Sequence, residues 1–470
     1  MNVYTGGVLV LSHCGFSFLE DIIQELESRA LKCFVLSSLP LPEHLPQRLD
    51  HIRNSVHRLK ATPSHVLQQA DVDGFIADLR EQGETVECCL SVWEGYRHLM
   101  AHANQRLGIH DLSVDDVLRI RDKLAVRNQV ADAGLSTVRA VKLTPLTLER
   151  LKRQERHFFI KPIHGIASYA AFPLRPETTW ASLQAIREGA QHDTVYASAF
   201  NGELTFMAED YVRGQEYSFE TLIVDGQAFV VAVHEKCEVT QADDTVLEDC
   251  CASPPISLSQ AQTAAGIQWV QALAASLGMT WGCFHIEARF DGQRWDLIEV
   301  NPRVGGSLIS HSVRAMTHTS LLGLWLDLLI SARIGDPSAW HTYAAYLRGL
   351  AYDRQGVSPS DTGTFFRVYF AHSGVLETVA LRPLAVPPVV AHVLLHAGDV
   401  VAPQAREVFL GQVLWAFNRA EAPVKIPLLR ALSVEAIDIR YVGATPAAEH
   451  AGHHVHPYRQ GVSAPLRPTA

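Results

Sequence analysis

Hydrophobic and polar positions alternate with different periods along the chain. "GGVLVLSHCGFSFLEDIIQELESRALKCFVLS" predicts a short buried strand, a glycine-containing turn, an amphipathic helix ending near Ala30 and a second strand. This is a βαβ opening. "VDGFIADL" and a long helical stretch, "VECCLSVWEGYRHLMAHANQRLG", continue an alternating α/β region to about residue 115. No GxGxxG follows the first strand, so a dinucleotide site has no support there. A helix is expected through "SVDDVLRIRDKLAVRNQVADAGL", with Ser113 as its cap, Asp115 and Asp116 in its first turn and Gly134 at its end. Residues 157–175 read as a strand, a loop of small residues and a second strand, with a helix from about Glu177. Strands separated by "RGQ" and "DGQ" turns between 200 and 236 predict an antiparallel sheet. A helix over about 259–277 and a hairpin over 281–302 follow, then short strands and helices from about 340, including an "AGDVVAP" turn. The segment from Thr445 onward has no periodicity and is expected to be a mobile tail, whose histidines at 450, 453, 454 and 456 are expected to be solvated.

The hairpin is the informative element. In "DLIEVNPRVGG" Glu299, Asn301 and Arg303 fall at every second position, so on a strand they share one face while Ile298 and Val300 share the other. Pairing with "WGCFHIEARF" around Gln293 sets Glu287 opposite Glu299. Like charges about 4 Å apart repel by roughly 4 kcal/mol at an effective dielectric near 20, so the pair needs a proton, a salt bridge or a cation. Arg303 is one candidate counter-ion. From this hairpin alone a surface ion-pair ladder and a cation site remain equally open. Two carboxylates and an amide form an oxygen-only set that Mg²⁺ accepts, commonly with substrate phosphates completing its octahedron.

Bulk properties restrict the partners. The chain has 470 residues, 47% hydrophobic and 19% charged, with room for about three domains of roughly 150 residues. Its net charge of -10, from 40 basic and 50 acidic residues without a basic run, excludes an electrostatic footprint for nucleic acid. The 8 cysteines are scattered without zinc-type spacing, as expected for reduced, mostly buried thiols in a cytoplasmic protein. The N-terminal apolar stretch, Val8 to Leu11, has no basic leader and is too short to span a membrane.

Phosphate chemistry directs attention upstream. "HFFIKPIHGIASYAAF" places Lys161 at the end of an apolar strand, ahead of Gly165, Ala167 and Ser168, a loop whose backbone N–H groups can approach phosphate oxygens. "FMAEDYVRGQEYSFE" adds Glu209 before a turn and Glu216, Ser218 and Glu220 after it. Each element alone also fits a solvated strand end or an exposed acidic strand. Together and in order, "RDKLAVR", "FIKPIHGIAS", "AEDYVRGQEYS" and "FHIEARF…LIEVNPRVGGS" resemble the ATP-grasp superfamily of carboxylate-amine ligases over about residues 1–345. The leading α/β region, the "NPRVGGS" ending, a helix in "MTHTSLLGLWLDLLI" and the C-terminal region look most like bacterial L-amino acid ligases, which make dipeptides, often for small secondary metabolites.

The resemblance implies a multidomain α/β and α+β architecture, the ATP-grasp fold: a Rossmann-like domain over 1–115, an ATP-grasp domain over 116–340 with a lid at about 140–210, an α+β region over 341–444 and a tail over 445–470. It implies that Lys123 and Lys161 hold ATP phosphates under a loop running from Gly165 to Ser168. Glu209 and the Val212 backbone would meet adenine, and Glu216 the ribose. Glu287, Glu299 and Asn301 would bind two Mg²⁺ ions, for which Mn²⁺ can substitute, and Arg303 would lie beside the reacting phosphoryl group. Arg303, Gly305, Gly306 and Ser307 would cradle a carboxylate substrate; His234 would serve the substrate side, and His234 or Glu235 is a candidate base. "HGIASYAA" departs from the family in having fewer glycines, which puts the closure of the loop and the part of Ser168 in question. The implied reaction activates a carboxylate, that of an amino acid, as an acyl phosphate and joins it to an amine, with ADP and phosphate released. An alternative within the superfamily activates bicarbonate, as biotin carboxylases and purine-biosynthetic carboxylases do. A nucleotide-binding scaffold without activity is opposed by the retained Lys161, Glu287, Glu299 and Asn301. A homodimer is the default among soluble oligomers.

Overall fold

Every residue of Gly7–Ser12 is buried, and the strand pairs in parallel with Lys32–Ser37 on one side and Val86–Leu90 on the other. Such double burial is why these runs lack alternation. The computed structural model describes residues 6–16, 18–42, 44–200, 202–241, 246–401 and 408–443. The tail expected from Thr445 lies outside them. Arg58–Ala61 completes a four-stranded parallel sheet flanked by helices that include Leu19–Ser28, Gln69–Glu81 and Arg97–Leu107.

Two helices expected as single elements are divided. The stretch 86–108 opens with the strand Val86–Leu90 and becomes helical only from Arg97, after a 3₁₀ turn over Glu94–Tyr96. Its Cys88 and Cys89 are both fully buried although the strand lies at the edge of the sheet, so "VECCL" shows no inside–outside period over these positions to separate strand from helix. The stretch 113–135 forms Val114–Arg121 and Lys123–Asp132. Ser113 caps the first as expected, and Asp122 breaks the run with ψ 94°, its carboxylate accepting a hydrogen bond from the Ala125 N–H at 2.8 Å. That break makes Lys123 the first residue of a new helix, at the edge of the cleft described below.

Ala140–Lys142, Phe206–Asp210, Phe158–Pro162 and Phe172–Pro173 form a small antiparallel sheet backed by Pro145–Lys152 and Trp180–His192. The central sheet has eight antiparallel strands, in the order Trp295–Asn301, Gly282–Phe290, Gln215–Val224, Gln227–Gln241, Val246–Ser253, Thr362–Phe370, Phe409–Asn418 and Val390–Val393. The C-terminal region therefore continues this sheet, with Cys251 opposite Phe366 at the junction. "MTHTSLLGLWLDLLI" also divides, at His318 with φ 64°, into Ile309–Thr317 and Leu321–Ser331. The second of these buries Trp325 and its leucines in the same core as the first sheet. None of the described helices is long and apolar enough to cross a membrane.

Candidate active site

Glu287 stands opposite Glu299, the register the hairpin predicts. The ladder slips one position beyond that pair, with Ala288 opposite Leu297, so Ile298 is an extra residue. The strict alternation expected of this strand fails there. Ile298 joins Glu299 in lining the cleft, and its carbonyl accepts hydrogen bonds from Lys161 at 3.0 Å and Arg127 at 2.9 Å.

Across the neighbouring strands the pairing continues the polar face: Glu287 lies opposite Ser218, Arg289 opposite Glu216, His285 opposite Glu220 and His234 opposite Ser218. Facing it are two lysines from other elements. Lys161 Nζ pairs with Glu209 at 2.8 Å, and Lys123 Nζ pairs with Glu299 at 3.1 Å while donating to the Gly165 carbonyl at 3.2 Å. Glu209 is also held by Arg127 at 2.7 Å. Burial would raise the Glu209 carboxyl, but these two cations outweigh it and keep it below the ordinary range. The Lys161 ammonium is lowered, because burial exceeds what Glu209 returns. The cleft between the central and the small sheet gathers Lys123, Lys161, Gly165, Ser168, Glu209, Val212, Glu216, Glu287 and Glu299.

Behind this wall Lys236, 2% exposed, is bonded to Glu216 at 3.2 Å and, at shorter range, to Glu248 and Glu287. Burial would lower its ammonium, yet the three carboxylates hold it far above the usual value. Arg289 grips Glu216 at 2.9 and 2.8 Å and donates to the Val212 carbonyl at 2.7 Å, leaving the Val212 backbone fixed at the cleft edge. Glu216, Glu248 and Glu287 offer oxygens within 4.8 Å of one another, a hard-ligand set fit for a divalent cation, with Lys236 supplying the positive charge among them. Asn301 bonds Glu299 at 2.9 Å. Lys236, Glu248, Arg289 and Arg127 went unmarked in the sequence; Arg289 follows Glu287 and Lys236 follows His234 at the same two-residue spacing, a signal that could have found them.

The counter-ions differ from the candidate named above. Arg303 binds Glu94 at 3.1 Å, and Arg121 approaches the same carboxylate at 3.6 Å. Glu287 is neutralised instead by Lys236 and His285, which overcome burial and hold it well below the ordinary carboxylate range. The reason is that Arg303 lies beyond the strand's last residue, Asn301, where the chain turns toward the first domain. His234 is fully buried behind the cleft, with its Nε2 2.8 Å from Ser312 Oγ and its Nδ1 3.5 Å from Glu220. Glu220 in turn contacts His285 at 2.9 Å, and His285 reaches Glu287 at 3.2 Å. Despite burial, those two carboxylates raise His285 to about 10, while Glu220 falls to about 2 under the influence of the two histidines. Glu235 accepts from the N–H groups of Ile256 and Ser257 at 2.9 and 3.1 Å, which occupies it in shaping a turn. Gly305 packs where a Cβ would come 2.7 Å from His285, Gly306 has open space, and Ser307 bonds Gln412.

A lysine pair facing a carboxylate-lined sheet, beneath a separate small sheet, coincides with a match of residues 155–311 to the model of the ATP-grasp domain. Residues 155–311 are an ATP-grasp domain. In sequence, the chain is 24% identical over 259 residues to the alanine–anticapsin ligase of Bacillus amyloliquefaciens, covering 50% of this chain and 52% of that one. It is 26% identical over 171 residues to the alanine–anticapsin ligase of Bacillus subtilis, covering 32% and 36%. The chain thus spans about half or less of the length of these curated relatives. In structure it is similar to an L-amino acid ligase from Bacillus licheniformis, with TM-score 0.71 and 19% identity over 93% of this chain and 99% of that one. A phosphoribosylglycinamide synthetase from Anaerococcus prevotii, with TM-score 0.61 and 12% identity over 93% of this chain and 100% of that one, is similar in fold.

Proposed function

We propose that the chain is an ATP-dependent ligase that activates the carboxylate of an amino acid as an acyl phosphate and joins it to the amine of a second amino acid. The observation that carries this reading is the convergence of Lys123 and Lys161 on the face bearing Glu287 and Glu299, with Arg303 just past its end. Likeness in sequence to alanine–anticapsin ligases favours amino acids over other carboxylates.

In this reading Lys123 exchanges Glu299, and Lys161 exchanges Glu209, for phosphate oxygens of ATP. The loop from Gly165 to Ser168 covers the phosphates, and Glu209, the Val212 backbone and Glu216 face the nucleoside. Glu287, Glu299 and Asn301 would hold magnesium, with Glu216 and Glu248 adjoining; bound there, the metal would supply positive charge to offset that of the transferring phosphoryl group. Arg303 neutralises the transferring group and, with Gly305, Gly306 and Ser307, seats the carboxylate. A carboxylate oxygen attacks the γ-phosphorus and ADP leaves; the amine nitrogen then attacks the acyl carbon, phosphate departs, and the amine loses a proton. Because the acyl phosphate hydrolyses in water, the lid must exclude solvent while it exists. His234 can act on this chemistry only through Glu220 and His285.

The test is phosphate release from ATP and Mg²⁺ with single amino acids and all pairs, and mass spectrometry of the products. Release that needs a pair, with a new mass equal to the two less water, is the expected result. Release with bicarbonate or a carboxylate that is not an amino acid, and none with any pair, would overturn it.

A further inference from the structure

Ser307 ends the "NPRVGGS" segment in a left-handed conformation, φ 52°, two residues before the helix Ile309–Thr317. A residue with a Cβ holds that conformation only where its surroundings impose it. The constraint comes from far along the chain. Ser307 Oγ donates to Gln412 Oε1 at 2.9 Å, and Gln412 Nε2 lies 3.2 Å from His392 Nδ1. Gln412 and His392 are direct cross-strand partners in the C-terminal part of the central sheet, so the amide is aimed by the ladder itself. At its other end the segment is pinned at Gly305, whose missing Cβ leaves room for His285, the side chain that touches Glu287. Between the pins Gly306 faces open space.

We propose that Gln412 is a positioning residue for the carboxylate substrate: it holds Ser307 in the left-handed conformation and thereby sets the Gly305–Gly306–Ser307 backbone against the substrate's carboxylate. This inference rests on the ligase reading and on the placing of that substrate at residues 303–307. It gives the C-terminal region a share in the site, through one amide, although residue 412 lies more than a hundred positions beyond the segment it shapes.

The experiment compares wild-type protein with Gln412→Ala, Ser307→Ala and the double variant Gln412→Ala with Ser307→Gly, measuring phosphate release against the carboxylate-donating amino acid and against ATP separately. In Gln412→Ala and in Ser307→Ala the KM for the amino acid is expected to rise about tenfold, as for the loss of one part-buried hydrogen bond, with the KM for ATP unchanged. Ser307→Gly in the Gln412→Ala chain is expected to return it to within about threefold of wild type, since glycine takes positive φ without support. An unchanged amino-acid KM in both single variants, or a rise that glycine at this position does not relieve, overturns the inference. The second result would mean that Gln412 only stabilises its strand. Ser307→Ala keeps the test decisive if Gln412→Ala fails to fold, because it leaves the C-terminal strands intact. Failure of the wild-type protein to turn over ATP with any amino-acid pair would remove the ligase reading and the inference together, whereas wild-type turnover with unresponsive variants removes the inference alone.

Discussion

The carboxylate-lined wall of the cleft and the Arg303–Ser307 segment adjoin each other, yet they are built on different principles. On the wall, Glu216, Glu287, Arg289 and Glu299 stand on neighbouring strands, and the ladder that pairs those strands also pairs their charges. At the segment, Arg303 finds Glu94, Gly305 fits against His285 and Ser307 finds Gln412, partners contributed by three separate parts of the chain. Charges placed by strand register follow from local alternation. Charges placed beyond a strand end follow only from how domains meet.

The largest expected effect separates the two regions directly. Glu299→Ala should lower amino-acid-dependent phosphate release by about a thousandfold or more, since metal-assisted charge stabilisation is worth several kcal/mol, with the circular dichroism spectrum unchanged. Turnover near wild type would remove Glu299 from the metal site. Next is Lys236→Met, which leaves Glu216, Glu248 and Glu287 without their shared cation. Breaking a buried pair in this way costs about 3–5 kcal/mol, read as a lower denaturation midpoint. Added Mg²⁺ should recover more stability in this variant than in wild type; equal gains would argue that the carboxylate cluster does not take a cation. Arg303→Lys comes third, with an expected loss of roughly 10- to 100-fold in kcat/KM, because a point charge cannot reproduce a planar fork. Retained activity would place Arg303 away from the reacting groups.

The same division explains what could be read without a structure. The opposition of Glu287 and Glu299 was legible because a two-residue period and a "DGQ" turn specify a register. The slip at Ile298 was not, since a bulge leaves no mark in apolar residues. Lys236 is masked in the sequence by His234 and Glu235 beside it, the more familiar proton carriers, yet one is buried against Ser312 and the other shapes a turn. The strand at Val86–Leu90 carries no clear period, because Cys88, Cys89 and Leu90 are buried in succession, which removes the alternation that distinguishes strand from helix. Glu94 and Gln412 had no local signal at all. Their significance comes from packing between segments far apart in sequence.

A smaller effect tests how the second region is held. Glu25, on the helix Leu19–Ser28, bonds Ser320 at 2.5 Å and pairs with Arg29 at 2.6 Å and with Arg314, tying the first domain to the helix that follows Ser307. Burial would raise its carboxyl, but Ser320, Arg29 and Arg314 hold it below the ordinary value. A group lowered in the folded state adds stability above its unfolded pKa, about 4.3, and that stability disappears as pH falls through the folded value. Glu25→Gln should therefore flatten the acid side of the stability profile, measured by denaturation as pH falls from about 5 downward, since the wild-type carboxylate loses its contribution below the unfolded value. An identical acid slope in the variant would mean that this tie does not distinguish the folded from the unfolded chain.

The smallest effect compares the segment with the 165–170 loop above the cleft, since both hold non-glycine residues at positive φ. Ala167, Ser168 and Ala170, at 51°, 51° and 52°, take within "HGIASYAA" the conformation that glycine adopts freely, so a loop poor in glycine still turns left-handed at these positions. Ala170 differs from Ser307 in having no side-chain hydrogen bond with which to hold that conformation; its environment is packing alone, at 0% exposure. Left-handed backbone costs an alanine roughly 1–2 kcal/mol, against about 0.5–1 kcal/mol of extra unfolded-state entropy for a glycine. Ala170→Gly should thus change stability little, within about 0.5 kcal/mol, because the relieved backbone strain is offset by the loss of a buried methyl worth roughly 0.8 kcal/mol. Ser307→Gly should lower the denaturation midpoint more, because it discards the bond to Gln412 as it relieves the backbone. Equal changes at the two positions would mean that the Ser307 hydrogen bond contributes nothing to the folded state, and the contrast between a loop held by packing and a segment held by a distant amide would fail.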